Sequence, residues 1–257
     1  MLWLTMHETI WTETFRARYY EVGPDSSVTI QALCNYFQEA AGNHATRLDV
    51  GMQKLMEQRR SWVLSRMLIE MSVFPGWLDE VTVDTWPAGI ERMFAIRLFR
   101  LRCGGRMIGC GSSAWLLFDL DRRRPLRPDF VRDLAVEGPE LGLAAMLSGK
   151  VEPPGRCTWQ RPFTVRTSDL DMNQHVNNVN YIDWALEAVP PDTRRSCRLQ
   201  RLQIEFLAEC REDEQVVSKC APDDSMADGC FRHAICRADG SIAATALSSW
   251  QARENRG

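Results

Sequence analysis

Phe15-Arg16-Ala17-Arg18 and Phe163-Thr164-Val165-Arg166 carry one pattern at two places in the chain, 148 residues apart. Held without gaps, that offset pairs Glu21 with Asp169, Val28 with Val176, Leu33 with Tyr181, Tyr36 with Trp184 and Glu39 with Glu187, and each pair keeps its chemical type. A second block matches at an offset of 135, pairing Arg66 with Arg201, Ile69 with Ile204, Glu70 with Glu205, Val81 with Val216, Gly105 with Gly240 and Trp115 with Trp250. Two copies of one unit, differing in loop length, account for both offsets. Charged, aromatic and glycine positions agree together, which chance similarity between amphipathic segments does not produce.

Val179, Ile182, Leu186 and Val189 recur at spacings of three and four, the apolar stripe of a helix, and place it over about 176 to 188, ahead of Pro190-Pro191. Ile30, Leu33, Phe37 and Ala40 mark its counterpart in the first copy. Strand-type runs follow each helix: 62–73, 80–85, 94–101 and 106–118 in the first copy, 199–208, 214–220, 230–237 and 241–252 in the second. Gly104-Gly105 and Asp239-Gly240 have the turn chemistry of hairpins. The fold class expected is α+β, a double hotdog: two tandem antiparallel sheets, each wrapped around a long central helix. Residues 1–128 form the first unit and 158–257 the second. The Pro- and Gly-richer segment 129–157 connects them, with a helix expected near Phe130 to Leu147.

The chain has 257 residues, 45% of them hydrophobic, and a formal charge of −3. That balance creates no field that would draw it onto nucleic acid or an anionic membrane, so any anionic partner must meet a local patch. The first residues lack a basic segment followed by an apolar one, and no run of about 18 apolar residues occurs, which argues against export and membrane insertion and for a cytoplasmic protein. Nine cysteines scattered through apolar stretches read as reduced thiols. Cys103 with Cys110, and Cys230 with Cys236, lack the close spacing of a zinc site, so neither metal nor cofactor is expected.

Just before the second helix stand Asp171, Asn173 and His175. In an extended segment alternate side chains share a side, so a carboxylate, an amide and an imidazole would converge. They would do so beside a helix N-terminus, whose free N–H groups can polarise an acyl carbonyl. The first copy has Gly23, Asp25 and Ser27 at these positions. One copy therefore keeps the chemistry, and the chain has one active site.

Asp169-Leu170-Asp171-Met172-Asn173-Gln174-His175-Val176-Asn177-Asn178-Val179, followed by Tyr181-Ile182 and Trp184, resembles the signature of the acyl-carrier-protein thioesterases of plant chloroplasts and bacteria. The first half agrees in Tyr20-Glu21-Val22-Gly23-Pro24-Asp25, Gln38-Glu39 and Asn43-His44-Ala45, and the likeness runs from about residue 13 to 250. It implies hydrolysis of fatty acyl thioesters of acyl carrier protein, in the bacterial and cytoplasmic manner, because the plant enzymes' targeting extension is lacking. It also implies a catalytic set of Asp171, Asn173, His175 and Glu209, with Cys210 beside them in Glu205-Phe206-Leu207-Ala208-Glu209-Cys210.

Two routes stay open. Cys210 as nucleophile would need His175 to take its proton and Asn173 to orient the ring. Alternatively Asp171 or Glu209, with His175, activates a water while Asn173 and helix N–H groups hold the oxyanion. Strand alternation sets Cys210 with Leu202, Ile204, Phe206 and Ala208, which favours an inward thiol and the water route, unless a bulge intervenes.

Met52, Met56, Trp62, Met67 and Trp86 are the acyl-binding candidates, since the resemblance places chain selection largely in the first hotdog. Acyl carrier protein is acidic, and Arg122-Arg123-Arg124 with Arg127, Arg59-Arg60, and Arg194-Arg195 with Arg198 are candidate docking clusters. A homodimer is open to such a chain. The competing readings are an acyl-CoA thioesterase and a non-catalytic acyl-thioester sensor on the same scaffold.

Overall fold

The computed structural model describes residues 10–139, 141 and 150–253. It falls into two compact units, Met1–Leu147 and Ser148–Gly257. The N-terminal unit contains β1 (Trp11–Arg16), α1 (Ile30–Arg47), the short α2 (Met52–Glu57), β2 (Arg60–Met71), β3 (Glu80–Glu91), β4 (Phe94–Cys103), β5 (Arg106–Asp119) and β6 (Arg124–Leu126). The C-terminal unit contains β7 (Trp159–Thr164), α3 (Asn178–Glu187), the short α4 (Pro191–Ser196), β8 (Cys197–Phe206), β9 (Gln215–Pro222), β10 (Cys230–Arg237) and β11 (Ile242–Ala252).

The fold is hotdog-like, with a large antiparallel sheet and few helices. Within each unit the strands pair antiparallel, ladder by ladder. Strands run β1-β3-β4-β5-β2 in the N-terminal unit, with β6 on β5, and β7-β9-β10-β11-β8 in the C-terminal unit. These are one order written twice.

The repeat extends to single contacts. Phe15 stacks on Tyr36 at 4.4 Å between centroids, and Phe163 on Trp184 at 5.9 Å. The Arg18 and Arg166 N–H groups each donate to the carboxylate three residues on, Glu21 and Asp169, at 2.8 Å. The Trp115 indole donates to Ser113 and that of Trp250 to Ser248, at 2.7 and 3.0 Å.

The α1 helix begins where the Thr29 hydroxyl accepts the Ala32 N–H, and it buries Ile30, Leu33, Phe37 and Ala40, the expected stripe. The Phe37 ring lies on Phe99 of β4 at 4.3 Å. Gly111 of β5 permits this approach: a Cβ there would stand 2.5 Å from the Phe37 ring. The α3 helix buries Val179, Ile182 and Leu186 and starts two residues later than expected, because Val176 is held in a bridge to Leu170.

No α-helix forms over the described part of 130–147. A 3-10 helix covers Asp129–Leu134, and irregular chain follows into Gly138-Pro139, where proline and glycine disfavour a helix. Here the Val136 N–H donates to the Pro87 carbonyl at 3.0 Å and Gly138 lies against the Trp86 ring. Glu140 and 142–147 lie outside the described residues.

Candidate active site

Asp171 to His175 is a closed turn, which corrects the extended segment expected from alternate spacing. The Asp171 N–H donates to the His175 carbonyl at 2.7 Å, the Gln174 N–H to the Asp171 carbonyl at 3.0 Å, and Gln174 takes φ +62°. Short polar side chains fold back onto their own backbone in such turns. Asp171 does so twice, its Oδ1 accepting the Asn173 N–H at 2.8 Å and the His175 N–H at 3.2 Å. Its Oδ2 lies 3.5 Å from the Asn173 amide nitrogen.

The first copy builds the same turn with other side chains. Gly23 N–H donates to Ser27 O, Ser26 N–H to Gly23 O, both at 2.9 Å, and Ser26 takes φ +59°. The two copies thus differ in chemistry over one backbone geometry.

Glu209 reaches the turn from beyond β8. The β8–β11 ladder ends at Phe206, and the Leu207 and Ala208 N–H groups both donate to the Ala243 carbonyl in a bulge. Past it Glu209 emerges, its Oε1 3.6 Å from His175 Nδ1, with the two side chains 64% and 54% exposed. Cys210 turns inward at 2% exposure. Its N–H donates to the Tyr181 hydroxyl at 2.9 Å, and burial pushes its thiol pKa up. Asp171, Asn173, His175 and Glu209 therefore meet at the surface, while Cys210 lies beneath them as an un-ionised thiol.

Tyr181 is the residue that sequence reasoning missed. It sits on α3, tied to the loop that carries Glu209. The signal was present, since the 148 offset pairs it with Leu33, so that a hydroxyl stands at this helix position in the copy that has the polar turn and an apolar side chain in the other.

The helix start offers less than expected. The Val179 N–H is taken by the Asn177 side chain at 3.2 Å and the Asn180 N–H by the Asn177 carbonyl at 2.9 Å. The Asn173 amide, which lies 3.5 Å from the Asp171 carboxylate, is the better placed donor for an oxyanion.

The five acyl-binding candidates are dispersed in the N-terminal unit. Met52 and Met56 are exposed, and Trp62 is half-buried, its indole donating to the Val50 carbonyl at 2.9 Å. Met67 is buried on the face of the sheet that Phe99 shares. Trp86 is buried on the opposite face, next to Gly138. Of the arginine clusters, the turn joining β5 to β6 gathers two: Arg59 pairs with Asp121 at 3.0 Å, and Arg60 and Arg124 both lie opposite Asp119 in the ladders. In the third, Arg194 is paired with Glu187 at 2.6 Å and Arg195 with Asp192 at 2.5 Å.

Among the described residues no helix is long and apolar enough to cross a membrane. The family model for the acyl-ACP thioesterase N-terminal domain matches residues 8–133, and that for the C-terminal domain matches 156–252. Oleoyl-acyl carrier protein thioesterase 2 of Arabidopsis thaliana, a chloroplast protein, is 35% identical over 225 residues, covering 80% of this chain and 61% of its own length. A dodecanoyl-[acyl-carrier-protein] hydrolase of Cinnamomum camphora is 30% identical, covering 95% of this chain and 68% of its own. The chain thus spans about two thirds or less of these relatives' length. Among solved structures, the 12:0-ACP thioesterase of Umbellularia californica superposes with a TM-score of 0.82 at 26% identity, over 97% of this chain and 100% of that one. An acyl-ACP thioesterase of Bacteroides thetaiotaomicron shares the fold with a TM-score of 0.86 at 24% identity, over 96% and 100%. With both domain models matched in order over most of its length, this chain belongs to the acyl-ACP thioesterase family.

Proposed function

We propose that the protein hydrolyses fatty acyl thioesters of acyl carrier protein by direct attack of water. The observation that carries this reading is the approach of His175 and Glu209 over the Asp171 turn, in the one copy that has all four polar side chains. Both oxygens of Asp171 already face the turn's own donors, so its part is to hold Asn173 and His175. Glu209 is the better base. Paired with His175, it takes a proton from a water whose oxygen adds to the thioester carbonyl carbon. The Asn173 amide donates to the resulting oxyanion. Collapse breaks the C–S bond, the thiolate leaves and takes the proton through His175, and the free acid remains. Cys210 takes no covalent part, because a buried thiol with a raised pKa is a poor nucleophile.

The two units are read as tandem hotdogs, a sheet around α1 and a sheet around α3, over the extents 1–128 and 158–257 joined by 129–157. The first binds the acyl chain and the second carries out hydrolysis. The division of labour is supported by the two turns of equal geometry, of which only the second has catalytic side chains. Docking of the acidic carrier is assigned to Arg59, Arg60, Arg122, Arg123, Arg124 and Arg127, where arginines outnumber the aspartates among them. Nine free thiols suit a reducing compartment such as the cytoplasm.

The test is thiol release from acyl carrier protein and CoA thioesters of graded chain length. Release from the carrier substrates at lower KM supports the proposal, equal release from CoA substrates removes carrier specificity, and binding without release makes the protein a sensor.

A further inference from the structure

We propose that the helix-facing interior of the N-terminal unit holds a carboxylate-binding site built on Arg97, His44 and Thr85. Arg97 lies two residues from Phe99 on β4, on the face that Phe37 of α1 covers. It is 9% exposed. Its Nη1 donates to Nδ1 of His44 at 3.0 Å and to the Thr85 hydroxyl at 3.2 Å. Thr85 in turn donates its own proton to the Leu98 carbonyl at 3.0 Å, so it serves the guanidinium as an acceptor. To accept from Arg97, His44 must keep a lone pair on Nδ1, which makes it the neutral ring, fully buried and covered by Trp11 at 5.9 Å.

Both partners are neutral, and among the described residues Arg97 forms no ion pair. The opposite face of the same strands shows the contrast. There Asp84, next to Thr85 in sequence, pairs with both Arg100 and Arg102, at 2.7 and 2.9 Å. Among the described residues a carboxylate thus meets the two partly exposed arginines and none meets the buried one. Burial alone depresses the Arg97 pKa, to about 10, which leaves it charged at neutral pH. A buried cation among neutral groups is costly, and an apolar side chain there would be more stable. Such a cost is retained where a ligand supplies the missing charge.

The ligand's chemistry follows from the fork. Nε and Nη2 are two parallel donors, the geometry that a planar carboxylate accepts. Phe37, Phe99 and Met67 on the same face make the surroundings of the fork apolar, which suits an aliphatic chain. The site therefore takes a carboxylate on an apolar chain. Two sources share that chemistry: the fatty acid released by the reaction proposed above, and the distal carboxylate of an acyl group acidic at both ends. Naming either source rests on the hydrolysis reading, whereas the site itself does not.

Calorimetric titration of the full chain with dodecanoate and with dodecan-1-ol separates charge recognition from chain binding. The acid should bind at least about tenfold tighter, the preference expected for a hydrogen-bonded charge. Arg97→Met should abolish that preference and raise the melting temperature, and Arg97→Lys should keep part of the preference. Competitive inhibition by dodecanoate assigns the product as ligand. A lower KM for the monothioester of dodecanedioic acid than for the dodecanoyl thioester, lost in Arg97→Met, assigns the distal carboxylate. Equal affinity for acid and alcohol in the unaltered protein overturns the proposal. So does an Arg97→Met protein that melts lower with its preference intact, and if that variant does not fold, Arg97→Lys and Thr85→Val decide by whether the preference weakens. Acid preference without thiol release removes hydrolysis and leaves this site standing; thiol release without acid preference does the reverse.

Discussion

His175 Nδ1 stands 3.6 Å from Glu209 Oε1, although 34 positions separate the two residues in the chain. One comes from a turn and the other from beyond a bulge, and both are exposed, so their approach contributes little to stability. Glu209→Gln and His175→Asn should therefore each lower kcat by about 10²–10⁴. Their melting temperatures should stay within about 1–2 °C of the parent, a shift typical of surface changes. Steady-state kinetics beside calorimetry checks this, and a large melting shift would mean that the pair is structural.

Tyr181 and Cys210 divide the support of that loop. Cys210→Ala removes a buried thiol but keeps the backbone N–H that reaches Tyr181, so turnover should remain within about threefold of the parent, and mass spectrometry should find no acyl-enzyme. Tyr181→Phe leaves that N–H unanswered and should cost about 1 kcal/mol of stability. It should also lower kcat by more than Cys210→Ala does, because Glu209 loses its anchor. Trapped acyl-Cys210 would exclude the water route.

His233 is buried on β10, its Nε2 2.8 Å from the Ser248 hydroxyl, and burial pushes its pKa down to about 4. Below the ordinary value of about 6.5 the unfolded chain takes up a proton that the folded chain refuses. Stability is thus present above that pH and falls as the pH drops towards 4, by about 3 kcal/mol in all. Urea unfolding at pH 7, 6, 5 and 4.5 should show the loss, and His233→Gln should flatten it.

Asp84 acts at lower pH. Burial alone would raise its pKa, but hydrogen bonds from Arg102, Thr12 and Arg100 outweigh that and hold it below the usual carboxylate range. Its contribution is intact above the unfolded carboxylate value and is lost as the pH falls through the lower folded one. Asp84→Asn should cost about 1–3 kcal/mol at pH 7, below the range for a fully buried pair because both arginines reach solvent. The cost should vanish in strong acid, which melting curves at pH 7 and pH 3 can compare.

The sequence by itself determined the repeat, the order of elements in each copy and the copy that carries the polar residues. These are local properties: an apolar stripe at spacings of three and four, runs of strand-type residues and glycine turns survive in any environment that buries one face. It also supplied all four polar residues now found together. What it misjudged depended on the path of the backbone. Asp171, Asn173 and His175 looked convergent because alternate residues of a strand share a side. They converge instead because the Asp171 carboxylate closes a turn on itself, a competition between side chain and backbone that spacing does not reveal. The inward Cys210 and outward Glu209, by contrast, agree with strand alternation, even though the Leu207 and Ala208 N–H groups share the Ala243 carbonyl in a bulge at the strand's end. Only the tertiary structure tied Tyr181 to that loop and buried Arg97 against His44 and Thr85, with no carboxylate beside it among the described residues. Both are contacts between segments far apart in the chain, decided by which faces the sheet brings together rather than by any residue's neighbours in sequence.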